Sequence, residues 1–227
     1  MADKTLAHSG SSFKGRFITF EGGEGVGKST QALRLRERLE HHGIEVVLTR
    51  EPGGAPGAEA IRGLLVTGGT DKWTPMTETL LHYAARRDHL DRTVLPALRA
   101  GKWVICDRYA DSTLAYQGYA QGLGVDRILD LHKIVTDNFW PDFTLLLNGG
   151  ASLGLERARM RQKTETGQQR EDRYERMGKG FHEKLREAFL DIAAKNPQRI
   201  TVIAAEGRVD DVEERIWQCV KDRFGLE

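Results

Sequence analysis

A glycine-rich segment near the N-terminus ends in a lysine and a serine, a combination that can bind phosphate. It reads GGEGVGKS from Gly22 to Ser29 and matches the pattern G-x-x-x-x-G-K-[ST]. The glycines let backbone N–H groups curl around an anion, and the helix predicted after them directs its positive end at the same point. Lys28 is expected to reach the β- and γ-phosphates of a triphosphate, and Ser29 to bind Mg²⁺. The expected nucleotide contacts are Gly22, Gly23, Glu24, Gly25, Val26, Gly27, Lys28, Ser29 and Thr30.

This loop indicates a nucleoside triphosphate but does not identify the reaction. The sequence has no Asn-Lys-x-Asp tetrapeptide of the kind that reads guanine in GTPases. A regulatory module that binds ATP without transferring phosphate is one alternative, and a glycine turn that binds nothing is another. The rest of the chain must decide between them.

Two arginines suggest a second anion opposite the loop. Arg50 and Arg108 each follow a predicted strand, in the segments TREPGG and DRYADSTLAYQG. In an open α/β sheet, ligands bind at the carboxyl ends of the strands. Desolvation of an arginine in this position is unfavourable unless an anionic partner compensates it. The pair therefore favours a bound anion over two surface ion pairs.

The elements that must position these residues alternate between strand and helix. Apolar runs predict strands at Arg16–Glu21, Ile44–Thr49, Lys102–Asp107, Asp142–Leu147 and Arg199–Ala204. Helical spacing predicts helices over Lys28–His42, Pro75–Ala100 with a bend or break at Pro96, Val125–Phe139, Ser152–Gln162, Tyr174–Lys195 and Val209–Phe224. Five such alternations predict an α/β fold with a five-stranded parallel sheet flanked by helices.

Length and composition predict one domain and exclude several classes of protein. The 227 residues suit a single domain over 15–227, preceded by a loose polar tail over 1–14. The net charge of +1 disfavours nucleic-acid binding, and no apolar run approaches a membrane span or a signal peptide. The two cysteines, Cys106 and Cys219, form neither a metal motif nor a disulfide framework and are typical of a reducing cytoplasm.

The stretch from Arg157 to Arg176 is rich in arginine and also carries acidic residues and Gly167. Taken alone, it is typical of a solvated helix face and loop. Beside a phosphate-binding loop, it is better interpreted as a basic lid over about 157–176 that closes on the triphosphate.

Taken together, these segments resemble the thymidylate kinase family. The matching pieces are FEGGEGVGKST, TREPGG, YAAR, DRYADSTLAYQG and DRYE, in the family's order and spacing, and the resemblance runs from about Arg16 to the C-terminus. It implies the P-loop nucleoside-monophosphate kinase fold and transfer of the γ-phosphoryl of ATP to dTMP, giving dTDP for dTTP synthesis. It also implies a Mg²⁺ cofactor and a homodimer.

The resemblance further implies roles for individual residues of this chain. Arg50 and Arg108 would hold the acceptor phosphate, and Asp107 would organise Mg²⁺ through water. Glu24 would touch the 3′-hydroxyl of the sugar. The acceptor nucleoside would otherwise meet Glu51, His82, Arg86, Thr113, Tyr116 and Gln117, with Arg86 on the thymine and Tyr116 packed on the sugar.

The chain departs from the family pattern at three places. His82 occupies a position where an aromatic residue often stacks on the thymine, Ala55 replaces a frequent threonine, and Asn148 stands where an aspartate is usual. The variable positions of the glycine-rich loop contain no arginine, so the resemblance implies that the lid supplies one. The candidates for this catalytic arginine are Arg157, Arg161 and Arg173.

The expected chemistry needs no general base. The nucleophile is a phosphate oxygen of dTMP, which is largely ionised at neutral pH because the second pKa of a phosphate monoester is about 6. Catalysis then depends on alignment and on neutralising two polyanions with Lys28, Arg50, Arg108, Mg²⁺ and a lid arginine. The rival readings are a kinase for another pyrimidine monophosphate and a deoxynucleoside kinase, in which Glu51 would be the base for a neutral 5′-hydroxyl.

Overall fold

The computed structural model describes residues 13–150 and 171–227 and has a parallel five-stranded sheet at its centre. The strands are β1 Phe17–Glu21, β2 Val46–Arg50, β3 Trp103–Asp107, β4 Phe143–Asn148 and β5 Ile200–Ala204. Their order is β2-β3-β1-β4-β5, so β1 lies in the middle of the sheet. All five carboxyl ends meet at one edge, and this places the phosphate loop after β1 beside the segments that follow β2, β3 and β4.

Eight α-helices and two π-helical segments connect the strands within the described ranges. The helices are α1 Lys28–His41, α2 Pro56–Val66, α3 Pro75–His89, α4 Leu95–Arg99, α5 Ala110–Thr113, α6 Val125–Thr136, α7 Lys179–Lys195 and α8 Val209–Phe224. The π-helical segments are Leu90–Val94 and Leu114–Ala120. The helix predicted over Ser152–Gln162 lies outside the described residues.

Two apolar clusters pack on opposite faces of the sheet, which confirms the predicted fold class. One cluster joins the sheet to α3, α6 and α7 and includes Tyr83, Ile128 and Phe189. The other joins the opposite face to α1 and α8 through side chains such as Leu35 and Ile216. A sheet covered on both faces explains why β1 and β4 are almost wholly buried along their length.

Pro96 divides the helical region that starts at Pro75. Thr74 caps this region by accepting a hydrogen bond from the backbone N–H of Thr77. The chain passes from α3 into the π-helical segment Leu90–Val94 and then into α4, whose second residue is Pro96. Because proline has no N–H to donate, the wider π-helical turn fits the chain just before it.

The structure differs from the sequence-based expectation at the N-terminal boundary. The predicted tail over 1–14 falls mostly outside the described part of the chain. Phe13, however, packs edge-on against Phe139 with ring centroids 6.3 Å apart. Phe13, which lies within the predicted tail, is therefore packed against the domain. No helix within the described ranges is both long and apolar enough to cross a membrane.

Candidate active site

The phosphate loop joins β1 to α1 in a shape that depends on glycine. Gly22 has φ 132°, and a Cβ added there would lie 2.4 Å from the carbonyl oxygen of Leu147. Gly27, with φ 100°, is the residue before the first turn of α1. The Nζ of Lys28 donates to the carbonyl oxygens of Gly22 at 3.2 Å and Gly23 at 2.7 Å. Burial and the nearby charge of Arg108 lower the pKa of Lys28 to about 8.

Ser29 and Asp107 meet at the carboxyl ends of β1 and β3. The Oγ of Ser29 donates to Oδ2 of Asp107 at 2.5 Å. The other carboxylate oxygen, Oδ1, is buried without a hydrogen-bond partner among the described residues. The two residues predicted to serve a metal ion are therefore adjacent, although 78 positions separate them in sequence.

Arg108 reaches from the end of β3 to the phosphate loop. Its Nη1 donates to the carbonyl oxygen of Gly22 at 2.9 Å, and its Nη2 lies 2.9 Å from Oε1 of Glu24. Tyr116 donates its hydroxyl to the same Glu24 oxygen at 2.6 Å, and its ring lies under the guanidinium. Burial alone would raise the pKa of Glu24, but the charges of Arg108 and Lys28 outweigh it and lower the pKa to about 2. Glu24 is thus a carboxylate at neutral pH.

Glu21, the last residue of β1, received no role from the sequence and lies beneath Arg108. Its carboxylate accepts hydrogen bonds from Tyr109 and Ser112, the residues that follow Arg108 in the turn after β3. Burial and the nearby charge of Asp111 raise the pKa of Glu21 to about 7. A carboxylate at the end of an otherwise apolar strand was the available signal, because a buried charge needs partners.

Arg86 on α3 is buried and held in a fixed orientation. Its Nε donates to Oε2 of Glu51 at 2.8 Å and its Nη2 to Oγ1 of Thr113 at 3.0 Å. The rings of Tyr83 and Tyr109 lie about the guanidinium carbon at 4.9 and 5.0 Å. The remaining nitrogen, Nη1, is buried and has no partner within the described ranges. It can therefore donate to a carbonyl oxygen on a bound ligand.

Both oxygens of Glu51 are engaged inside the protein. Oε2 accepts from Arg86, and Oε1 lies 2.9 Å from Nδ1 of His89. The other ring nitrogen of His89 lies 2.8 Å from Oγ1 of Thr49, at the end of β2. Glu51 is nearly fully buried, so it orients Arg86 from behind instead of facing an open acceptor site.

His82 contacts an aromatic residue that the sequence did not single out. Its Nε2 lies 2.9 Å from the hydroxyl of Tyr174, and the two rings are tilted at 6.2 Å. Burial and the charge of Arg86 lower the pKa of His82 to about 3, so the ring is neutral at physiological pH. Tyr174 also packs edge-on against Tyr116 at 5.4 Å. The DRYE match contained this tyrosine, but its position over Tyr116 depends on tertiary packing.

The structure places Arg173 in a structural position, which argues against its prediction as a lid arginine. Its guanidinium forms a fully buried ion pair with Glu78 and donates to the carbonyl oxygens of Leu65, Gly69 and Thr70. Gln117 also turns toward Glu78, with its amide nitrogen donating to Oε1 at 2.6 Å. Arg157 and Arg161, the other candidates, lie outside the described residues.

Arg50 ends β2 in register with Asp107 on β3, at the same sheet edge as the phosphate loop. More than half of its side chain is exposed, and its guanidinium lies 3.2 Å from Glu59 on α2. Glu59 also accepts from the backbone N–H of Gly54 at 2.8 Å. Arg50 is therefore tethered but accessible, whereas Arg108 is enclosed.

Comparisons with known proteins agree with this geometry. The family model described as thymidylate kinase matches residues 20–216. The chain is 48% identical to a thymidylate kinase of Caulobacter vibrioides, covering 94% of this chain and 99% of that protein. It is 49% identical to one of Rhizorhabdus wittichii, covering 92% and 98%.

A crystal structure of thymidylate kinase from Ehrlichia chaffeensis superposes with a TM-score of 0.70 at 35% identity. The match covers 91% of this chain and 98% of that one. With a family match over most of the chain, and with the phosphate loop, Arg108 and Arg86 meeting at one sheet edge, this protein belongs to the thymidylate kinase family.

Proposed function

We propose that this protein transfers the γ-phosphoryl group of ATP to dTMP and releases dTDP and ADP. The observation that carries the proposal is the pairing of a phosphate loop with a buried arginine, Arg86, whose Nη1 has no partner among the described residues. The loop provides a triphosphate site, and the free guanidinium donor suits the C4 carbonyl of thymine. Family membership supports the same reaction.

The donor triphosphate occupies the loop from Gly22 to Thr30. Lys28 already contacts loop carbonyls, so only a short movement of its ammonium group would bring it onto the β- and γ-phosphates. With its pKa lowered to about 8, Lys28 is still protonated in most molecules at neutral pH. The anion would also restore that charge by favouring the protonated form.

Ser29 and Asp107 fit a magnesium ion as cofactor. They offer a hydroxyl and a carboxylate, one oxygen of which is buried and has no hydrogen-bond partner in the described part of the chain. Mg²⁺ prefers oxygen ligands of this kind together with substrate phosphates. The described residues contain no group of three His, Cys, Asp or Glu side chains that could cage a metal alone. When bound, the ion would neutralise charge on the transferring phosphates.

On the acceptor side, Arg108 and Arg50 hold the phosphate of dTMP. Arg108 stands against the loop and is kept there by Glu24, which would also meet the sugar's 3′-hydroxyl. Arg50 is accessible and can leave Glu59 for an incoming phosphate. The acceptor oxygen is already ionised, so these residues align and neutralise charge and no base is required.

The nucleoside lies between Arg86 and the aromatic group formed by His82, Tyr116 and Tyr174. Tyr116 would close against the deoxyribose, with Thr113 beside Arg86 and Gln117 nearby. A neutral His82 is suited to packing against a base because it brings no charge that must be desolvated. A lid arginine, Arg157 or Arg161, remains the predicted source of positive charge at the transferring group.

A deoxynucleoside kinase would need a free carboxylate base near a 5′-hydroxyl. Glu51 is the candidate by sequence, but Arg86 and His89 occupy both of its oxygens. This arrangement favours a monophosphate acceptor over a neutral nucleoside.

We further infer that the protein works as a cytoplasmic homodimer. Two helices that pack side by side, α3 and α6, each expose a large apolar side chain, Leu80 and Ile134. The family resemblance implies the homodimer, and these two side chains are our candidates for its interface.

A coupled assay of ADP release with ATP and Mg²⁺ tests the function. The acceptors compared are dTMP, dUMP, thymidine and UMP. A strong preference for dTMP is the expected result. Turnover with thymidine but not dTMP would instead make this a deoxynucleoside kinase, and ATP binding without turnover on any acceptor would indicate a regulatory module.

A further inference from the structure

The backbone of Arg108 adopts a conformation that an arginine rarely takes. Its φ of 71° lies in the left-handed region that favours glycine. The backbone N–H of Arg108 donates to the carbonyl oxygen of Phe20 at 2.9 Å, which ties the residue to β1. A strained residue persists only when its surroundings hold it, so neighbouring contacts must stabilise this conformation of Arg108.

Glu21 supplies those contacts from the adjacent strand. Its Oε1 accepts from the backbone N–H groups of Tyr109 at 2.7 Å and Ser112 at 3.3 Å. Its Oε2 accepts from the hydroxyl of Ser112 at 2.6 Å. One carboxylate therefore holds both ends of the short turn that begins at Arg108. Glu21 is only 1% exposed, so it cannot itself contact a substrate in solvent.

The hydroxyl of Ser112 links Glu21 to the guanidinium of Arg108. It lies 3.1 Å from Nη1 of Arg108 and accepts a hydrogen bond from it. A serine hydroxyl has one proton, and here that proton is donated to Glu21. The oxygen lone pairs are consequently directed at Arg108, so the carboxylate sets the direction of the whole chain of hydrogen bonds.

The other acidic residue of the turn is committed elsewhere. Asp111 forms a buried, bidentate ion pair with Arg199, the residue before β5, at 2.7 and 2.8 Å. It is therefore not available to Arg108. Glu24 contacts Arg108 from the phosphate loop at Nη2, and it accepts no hydrogen bond from the backbone of Tyr109 or Ser112, which Glu21 holds.

We propose that Glu21 is a positioning residue for phosphoryl transfer, which fixes the left-handed turn at Arg108 and, through Ser112, aims the Arg108 guanidinium at the acceptor phosphate. This inference rests on the proposed function, in which Arg108 binds that phosphate. It assigns to a carboxylate outside the substrate site a role in acceptor binding.

The first test is Glu21→Gln, which keeps the shape of the side chain. The amide oxygen can still accept from Tyr109, but the amide nitrogen donates toward Ser112, whose proton then lacks an acceptor. We expect the Kd for dTMP, measured by calorimetry at about pH 8 where Glu21 is mostly ionised, to rise about tenfold, with the Kd for ATP changed less than about twofold. The melting temperature should change little, because the removal of a buried charge offsets the weakened hydrogen bonds of the turn.

Thr19→Val is the matched control. Thr19 lies on the same strand, is buried and bonds Thr144 at 2.8 Å, but does not touch Arg108 or its turn. It should lower the melting temperature and leave dTMP binding unchanged. An unchanged Kd for dTMP in the Glu21→Gln variant would overturn the proposal.

A double-mutant cycle separates positioning from general structural support. In an Arg108→Ala background, Glu21→Gln should have little further effect on dTMP binding, because its influence passes through the arginine. Ser112→Ala should behave in the same way. Fully additive losses would contradict the proposal. A wild-type protein that binds ATP but neither binds nor phosphorylates dTMP would instead refute the proposed function.

Discussion

Lys28 donates to the carbonyl oxygens of Gly22 and Gly23, within the loop that it closes. Replacing it with alanine removes the only cation that the loop itself contributes, and with it the charge that stabilises the transferring phosphates. We expect Lys28→Ala to lower kcat by at least about 10²-fold, measured as the initial rate of ADP release. Near-normal turnover would refute the assignment of the loop.

Lys102→Ala is the control for this substitution. Lys102 forms a surface ion pair with Glu45 at 2.8 Å, at the far end of β3 from the phosphate loop. Surface pairs of this kind contribute little to stability. The control should keep kcat within about twofold of the wild type, because nothing in the site depends on that charge.

Arg86 carries the prediction for base selectivity. Its buried Nη1 is a donor, which matches the C4 carbonyl of thymine and conflicts with the C4 amino group of cytosine. The wild type should therefore prefer dTMP over dCMP. Arg86→Gln should narrow the ratio of the two kcat/KM values by about tenfold or more. Arg87→Gln, a half-exposed neighbour paired with Asp91, should leave the ratio unchanged.

At the residue scale, sequence predicted identities better than orientations. The phosphate loop, Asp107 and Arg108 were recognised because short motifs with fixed spacing encode them. Glu21 was missed because nothing local shows that a strand-end carboxylate will face Tyr109 and Ser112 across the sheet. The burial of Arg173 was also hidden, since its partner Glu78 lies 95 positions away in sequence.

At the scale of elements, the segment after residue 170 is fastened to α2 and α3. Arg62 on α2 forms three hydrogen bonds to Glu171, two from Nε and one from Nη2. Arg173 is buried against Glu78 on α3. Arg173→Ala would leave Glu78 as an uncompensated buried charge. We expect it to lower the free energy of unfolding by about 3–5 kcal/mol, measured by urea titration.

This prediction also distinguishes the two roles considered for Arg173. A catalytic lid arginine would give a loss of kcat of about 10³-fold with unchanged stability. Arg208→Ala is the control, because Arg208 is 80% exposed and its pair with Asp210 should contribute at most about 1 kcal/mol. Equal stabilities for the two variants would contradict the structural role.

Strands and helices were predicted well where the apolar pattern was continuous along the element, and poorly where glycine or proline interrupted it. The bounds of α1, α8 and all five strands agree with the structure to within two residues. Helix α2 was missed because Pro52, Gly53 and Gly54 precede it and resemble a loop. The π-helical segment Leu114–Ala120 was not predictable either, because no residue preference separates a π-helical turn from an α-helical one.

For the whole molecule, buried histidines predict an early onset of acid destabilisation. Burial, with a further contribution from the charge of Arg86, lowers the pKa of His132 from 6.5 to about 3. As the pH falls, His132 is therefore protonated in the unfolded chain before it is protonated in the folded protein. The contribution of each such histidine to stability is complete above pH 6.5 and is lost as the pH drops toward 3, by up to about 1.4 kcal/mol per unit. His82 shares this behaviour. The raised pKa of Glu21 opposes this trend below pH 7.

His132→Phe should reduce this slope while keeping a ring against Trp140, which now lies 4.0 Å away. The measurement is the urea midpoint from pH 7.5 to 5. His41→Phe, at an exposed position on α1, is the control. Identical slopes in the wild type and the His132→Phe protein would show that another group governs the acid response.

The proposed dimer makes a second prediction at this scale. Ile134 on α6 is 76% exposed, the most exposed of the large apolar side chains in the described ranges. A charge in an apolar interface would be desolvated without a partner, so Ile134→Glu should give a monomer in analytical ultracentrifugation. Val209→Glu, at the start of α8 on the opposite face of the sheet, should remain dimeric. A monomeric wild type at micromolar concentration would contradict the dimer.

The two cysteines differ in a way that makes one of them a usable chemical handle. Cys106 is fully buried on β3, its thiol donates to the carbonyl oxygen of Arg108, and burial raises its pKa well above the usual value. Burial and the charge of Asp222 raise the pKa of Cys219 as well, but Cys219 on α8 is only half-buried and can be reached by a reagent. Because the thiolate is the reactive form, maleimide reagents should modify Cys219 alone. A fluorophore or spin label could then be attached to the native sequence, with no engineered cysteine, on the sheet face opposite the acceptor-site helices.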